Sequence, residues 1–195
     1  KAEHNIKEIV FTPIGSDDTR VAALLSGEVD VIEPVPIKDI SRVDSTANAQ
    51  VLKGPELRTI FLGMDQVRDE LLYSNVKGKN PLKDKRVRQG LYQAIDINAI
   101  HKSTMRGLSK PTGGVTPSPL QSNPEIEKRL PFDPNAAKKL LADAGYPKGF
   151  EVQLDCPNNR YVNDEKICQA VAAMWAKIGI DAKLDGMVFA VVARP

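Results

Sequence analysis

Two cysteines, two histidines, two adjacent carboxylate pairs and one dense run of cations are the side chains of this 195-residue sequence best suited to chemistry. A zinc-type centre needs ligands at set spacings, and His4 and His101 stand far apart with no second histidine beside either. Both therefore read as surface or cap residues, and no metal is expected. Cys156 and Cys168 bracket the loop between a strand and the helix after it. A disulfide can close that loop if the side chains face each other, and would stabilise it in an oxidising compartment. In a reducing one, both are small buried hydrophobes. Asp17–Asp18 and Asp164–Glu165 have the adjacency of acid–base pairs, but both fall where helices start and complement the positive end of the helix dipole. No serine or cysteine sits in a nucleophile elbow. The phosphate-cradling patterns G-x-x-x-x-G-K and G-x-G-x-x-G are absent, and Thr112-Gly113-Gly114 reads as a turn. Neither an enzyme nor a cofactor is expected.

The cations need a separate decision. Lys83, Lys85, Arg86 and Arg88 crowd the first turn of a helix, where the dipole does not favour them. They are either an anion grip or a solvated face paired with acidic neighbours. Net charge favours the second: 27 Lys and Arg against 25 Asp and Glu leave only +2, without the basic excess of a nucleic-acid binder. No nucleic-acid partner is expected. An anion- or nucleic-acid-binding module stays as the lesser alternative, and it predicts salt-dependent binding to an anionic polymer.

The elements that must position these residues are legible from periodicity. IKEIVFTPI reads as a strand, SDDTRVAALLSG as a helix capped by Ser16 or Asp17 and ended by Gly27, and VDVIEPVP as a second strand. Strand, helix, strand at this spacing predicts an α/β layer with a parallel pair. A small helix follows in IKDISRVD, and QVLKGPELRTIFLGMD brings two more strands. In the second of them Leu57, Thr59, Phe61 and Gly63 share one face, and Arg58, Ile60 and Leu62 the other. QVRDELLYSNVKGKNP is expected to be part helix, part loop. Asp84 caps a helix burying Val87, Leu91, Ala94 and Ile95, and Asp96 caps a shorter one. GLSKPTGGVTPSPLQSNPE is coil. Asp133 caps the clearest helix, with Pro134 at its first position. Strand FEVQLDC, a long helix carrying Ile167, Val171, Met174, Trp175 and Ile178, and strand IDAKL complete the alternation.

Composition is that of an ordinary globular protein, 42% hydrophobic and 27% charged, with no apolar run of membrane-spanning length. The chain enters a strand almost at once and stops just after another apolar run, and so reads as a piece of something larger.

Four stretches resemble one family in that family's order. RVRQGLYQAIDINAI is similar to the R-V-R-x-A-L-x-x-A-I-D-R-x-x-I helix pair of the family 5 extracellular solute-binding proteins, which include the dipeptide and oligopeptide receptors of bacterial ABC importers. TRVAALLSGEVDVIEPVP resembles the helix–strand unit ending in S-G-E-[VI]-D. FDPNAAKKLLADAGYPKGFEVQL resembles D-P-x-x-A-[KR]-x-L-L-x-x-A-G-Y, and AVAAMWAKIGIDAKL resembles x-L-x-K-I-G-I-x-[VA]-x-L. The resemblance implies an α/β fold of the periplasmic binding protein-like type II, in part. Residues 1–53 then belong to lobe one, and residues 54–195 form the first part of lobe two. The tail GMVFAVVARP departs from the family pattern.

What the resemblance implies about function is capture without chemistry. A peptide is held between two lobes and passed to the ABC permease of the inner membrane, and the receptor is periplasmic, or lipid-anchored and extracellular in a Gram-positive source. A receptor of the same fold for another solute (a nickel chelate, glutathione or an opine) is the alternative. By position in the family, Thr59, Phe61 and Gly63 line the cleft, Arg106 follows the second short helix with its side chain toward the cleft, and Asn158, Asn159, Arg160 and Tyr161 lie on a cleft-facing loop.

Overall fold

A computed structural model describes residues 5–120 and 123–187, and the chain forms two compact units, Lys1–Gly54 and Pro55–Pro195. His4 and the end of the apolar tail lie outside the described residues.

In the first unit, helix α1 (Asp17–Ser26) starts where Ser16 Oγ accepts the Thr19 N–H at 3.4 Å, and it ends at Gly27 in the left-handed conformation, φ 79°. Asp17 and Asp18 fill its first turn and pair with Arg20 and Lys38. Arg20 also donates to the carbonyls of Ile14 at 3.0 Å and Pro34 at 3.1 and 3.2 Å, fastening the segments that flank the helix. A 3-10 turn (Ile37–Asp39) runs into α2 (Ile40–Asp44), and Val21, Ala23, Ile37 and Val43 are the buried apolar residues.

The strands expected in this unit do not form. Residues 5–13 and 29–36 run without a ladder, and Ile9, Val10, Phe11 and Val31 are 80 to 86% exposed. Alternating apolar residues state which face a strand would bury, but a strand exists only where its backbone finds a partner edge. Among the described residues none lies along these segments, so the expected parallel pair is not here.

A parallel pair forms in the second unit, from the strands read in FEVQLDC and IDAKL. Strand β1 (Glu151–Pro157), helix α7 (Asp164–Ala176) and strand β2 (Asp181–Met187) make a parallel unit with Glu151 opposite Asp181 and Pro157 opposite Met187. Where the turns into the two strands cross, a Cβ on Gly149 would stand 1.8 Å from the Gly179 carbonyl oxygen, so both positions require glycine. Helix α3 (Lys85–Gln93) is capped by Asp84, which accepts the Arg86 N–H at 2.8 Å. Asp96 caps α4 (Ile97–Ala99), which continues into a π-helical turn (Ile100–Thr104). The stretch expected as coil holds a 3-10 turn (Ser118–Leu120) and the start of α5 (Pro124–Glu127), and α6 (Pro134–Asp143) follows, where Asp133 accepts the Asn135 and Ala136 N–H groups at 3.0 and 2.8 Å.

Val87, Leu91 and Ala94, Ala137 and Leu141, Val171 and Trp175, and Phe150, Val152 and Ile180 join in one core. Each large side chain buried there contributes about 1.5–3 kcal/mol of transfer free energy. Trp175 Nε1 donates to the Leu91 carbonyl at 2.9 Å, which ties α7 to α3. Of the cations around the start of α3, Lys83, in the 3-10 turn before the helix, meets Asp69, Arg86 meets Asp84 and donates to the Asp143 carbonyl, Arg88 donates to the carbonyls of Leu82 and Lys83, and Lys85 is exposed.

Two further expectations fail in this unit. Residues 57–64 form no ladder, for the same want of a partner edge. QVRDELLYSNVKGKNP contains no α-helix, and only its last residue, Pro81, enters a 3-10 turn (Pro81–Lys83). Asp65 Oδ1 takes the Val67 and Arg68 N–H groups, and buried Asn80 donates to the carbonyls of Asp65 and Arg68, so side chains satisfy the backbone that a helix would have satisfied.

Candidate functional site

The loop that leaves the carboxyl end of β1 is the most heavily fastened coil near the expected ligand residues. Asp164, 6% exposed at the start of α7, turns its carboxylate back into the loop. Its Oδ2 accepts the N–H groups of Arg160 and Tyr161, both at 2.9 Å, and its Oδ1 accepts that of Glu165 at 2.9 Å. Asn163 is left-handed, φ 56°, and its Nδ2 donates to the Thr104 carbonyl at 2.8 Å. Cys156 and Cys168, both buried, are joined in a disulfide that closes the loop's two ends. Of the two alternatives open for these cysteines, the bridge is the one formed.

Asn158, Asn159 and Arg160 are exposed on this loop and Tyr161 is half-buried. Position matters here, because open α/β sheets bind ligands in the crevice beyond the carboxyl ends of their strands. Segment 57–64 alternates only in its second half, for Leu57, Arg58 and Ile60 are all exposed. Leu62 and Met64 pack on the core, while Phe61, 68% exposed, and Gly63 face outward and Thr59 is half-buried. Phe61 is therefore no core residue. Arg58 joins the segment to the loop, its guanidinium carbon 5.5 Å from the centre of the Tyr161 ring, and Arg160 stands at 5.5 Å from the same ring. Arg106, exposed and left-handed at φ 47°, lies two residues beyond the Thr104 carbonyl that holds Asn163. What meets this loop is Arg58, the sequence neighbour of Thr59, and Thr104, two residues before Arg106.

Two residues of this arrangement escape a reading of the sequence. Arg58 sits on the face opposite Thr59 and Phe61 in a regular strand; only the absence of a ladder frees it to turn toward Tyr161. Asp164 reads as a dipole residue at a helix start. The signal available was its place directly after N-N-R-Y-V-N, a loop whose N–H groups need an acceptor.

Elsewhere, His101 Nδ1 lies 3.1 Å from Ser109 Oγ, and among the described residues no three potential metal ligands cluster. A cavity of about 220 Å³ is lined by residues 95–98, Pro111 and 129–132, none of them an expected ligand residue. No helix among the described residues is long and apolar enough to cross a membrane.

Comparison with known proteins bears on all of this. The glutathione-binding protein GsiB of Escherichia coli (strain K12) is 29% identical over 182 residues, covering 93% of this chain and 33% of GsiB. The periplasmic binding protein DppA of Helicobacter pylori, solved with the peptide STSA, superposes with a TM-score of 0.79 at 23% identity, over 92% of this chain and 32% of that one. AgaA from A. tumefaciens R10, solved with agropinic acid, superposes at 0.65 with 31% identity, over 91% of this chain and 34% of that one. The chain thus spans about a third of the length of the relatives it matches. Its fold is a partial α/β binding-protein fold of the periplasmic type II class. The model of the bacterial extracellular solute-binding proteins, family 5 Middle, matches residues 1–194, and the chain belongs to that family.

Proposed function

We propose that this chain is part of a solute receptor of a bacterial ABC importer, one that captures peptides between two lobes and delivers them to a membrane permease. Residues 1–53 would belong to lobe one and residues 54–195 to lobe two; what supports that division is the split into units at Gly54 and Pro55. The observation that carries the reading is the meeting of segment 58–63 with the anchored loop 158–163 through Arg58 and Tyr161. That rim offers exposed backbone, amide and aromatic groups, which suit an extended peptide held by main-chain hydrogen bonds and accommodated through water. Thr59, Phe61, Gly63, Arg106, Asn158, Asn159, Arg160 and Tyr161 are the proposed ligand residues. The proposed activity is binding without catalysis. The proposed location is the periplasm, or the outer surface of a Gram-positive cell through a lipid anchor.

A second reading keeps the receptor and changes the solute. The glutathione named for GsiB and the agropinic acid bound to AgaA favour a small modified peptide or an opine over a longer chain. A nickel chelate is the third solute of this kind. One experiment separates these from the peptide reading. The full-length protein is heated with di- to pentapeptides, glutathione, agropinic acid and a nickel–histidine chelate in turn. A bound solute at 100 times its dissociation constant stabilises by about 2.7 kcal/mol, an upward shift of several degrees. Shifts with peptides support the first reading, and shifts confined to the other solutes support the second. A flat response to the whole panel would show that the receptor reading is wrong.

A further inference from the structure

We infer that the Cys156–Cys168 bridge is installed before helix α7 closes over it, and that it is what makes the rim loop fit to capture solute. The inference rests on the receptor reading and adds a maturation step to it, the oxidation of two thiols by a protein disulfide.

Its basis is where the two sulfurs sit. Cys156 is the last residue but one of β1, in register with Gly186, and Cys168 lies in α7 one turn beyond Asp164. The bridge spans twelve residues and closes the loop that carries Asn158, Asn159, Arg160 and Tyr161. The Asp164 carboxylate takes the Arg160 and Tyr161 N–H groups, so it fastens the second half of the loop to the helix. The disulfide fastens the helix start itself to the carboxyl end of β1. Cys156 Sγ also lies 3.6 Å from the Asp164 carbonyl oxygen. A reduced Cys156 keeps a weak S–H donor for that carbonyl, so the two redox forms differ chiefly in the covalent tie. In the chain-entropy account, closing a loop of this length disfavours its opened forms by about a hundredfold. A receptor whose loop is ordered in only a fraction of molecules loses apparent affinity in proportion to that fraction.

Burial sets the order of events. Cys156 is 3% and Cys168 7% exposed, so the closed loop gives an external thiol or disulfide little access to either sulfur. The bridge is therefore made before α7 seats on the core, and it resists reduction afterwards. In the oxidation, the thiolate of one cysteine attacks a sulfur of the oxidant's disulfide and expels the other sulfur as a thiolate. The second cysteine's thiolate then attacks the chain's sulfur in this mixed disulfide and expels the oxidant. Two S–H bonds of the chain and one S–S bond of the oxidant become one S–S bond in the chain and two S–H bonds in the oxidant. Two electrons leave the chain. Such a bridge forms and persists in an oxidising compartment, in keeping with the proposed location.

The test compares the bridged full-length protein with the same chain refolded in a water-soluble phosphine reductant, and with the double variant Cys156→Ala/Cys168→Ala. Melting temperatures without solute check that both bridgeless forms fold. Hydrogen–deuterium exchange in residues 158–163 should then run about tenfold or more faster in both, with α3 and α6 unchanged. Calorimetric titration uses Ser-Thr-Ser-Ala, oxidised glutathione being avoided, with agropinic acid and the thiol-blocked S-methyl glutathione. Whichever of these binds the bridged protein should bind the bridgeless forms at least about tenfold more weakly. Under native conditions the phosphine should leave the bridge intact for hours, and reduce it faster only as urea opens the chain. Equal loop exchange or equal affinity in the bridgeless forms overturns the inference, and so does reduction of the native protein within minutes. A bridgeless chain that does not fold overturns it too, because the bridge would then support the whole unit rather than the loop. If no probe binds the bridged protein, the receptor reading fails and takes the claim about capture with it. The exchange and reduction measurements still decide, separately, whether the bridge orders the loop.

Discussion

Single carboxylates decide much of the local structure. Asp84, Asp96, Asp133 and Asp164 each accept backbone N–H groups at or beside a helix start, and three of them were legible as caps because an aspartate stood just before an apolar helical rhythm. Asp164 was not fully legible, since its partners include loop N–H groups that precede it, and no rule of periodicity points backwards. Asp84 carries a pH consequence. Hydrogen bonding to the Arg86 side chain, with its backbone N–H and charge, holds the carboxyl below its ordinary 3.8. A carboxyl depressed in the folded state stabilises the fold above its unfolded pKa and loses that contribution as pH falls through the depressed value. Asp84→Asn keeps a capping oxygen but removes the charge. Urea denaturation at pH 7 and pH 3 should therefore show a smaller loss of stability on acidification in Asp84→Asn than in the wild type. Equal losses would mean that the Arg86 pair contributes nothing.

At the scale of elements, the longer helices were legible, α5 was not, and strands were legible only where a partner existed. A helix satisfies its own backbone, so the caps and stripes of α1, α3, α6 and α7 sufficed to locate them. A strand depends on a neighbour that periodicity cannot supply. FEVQLDC and IDAKL found each other across α7, whereas IKEIVFTPI, VDVIEPVP and LRTIFLGMD remained unpaired. The close packing of α3 on α6 could not be read from sequence either. Gly90 lies against α6 so closely that a Cβ there would meet the Ala137 carbonyl oxygen at 3.1 Å and Leu141 Cγ at 3.6 Å. Overpacking such a contact costs about 1–3 kcal/mol. Gly90→Leu should lower the unfolding free energy by that amount, seen as a lower urea midpoint with an unchanged m-value. A variant as stable as the wild type would show that the two helices part without loss.

For the molecule as a whole, the α/β class and the family were legible from four motifs in order, and the site only in part. The loop and the outward face of segment 57–64 followed from the resemblance; the arginine that joins them did not, because its orientation depends on a ladder that is missing. The central claim is that solute is captured at the rim formed by this segment and the loop after β1, and not at the cavity between residues 95–98 and 129–132. Hydrogen–deuterium exchange of the full-length protein, with and without a solute that shifts its melting temperature, tests this most directly. The account predicts that amides of residues 58–63 and 158–163 exchange at least several-fold more slowly in the bound state, with residues 95–98 and 129–132 unchanged. Protection confined to the cavity residues, with the rim exchanging as before, would contradict it.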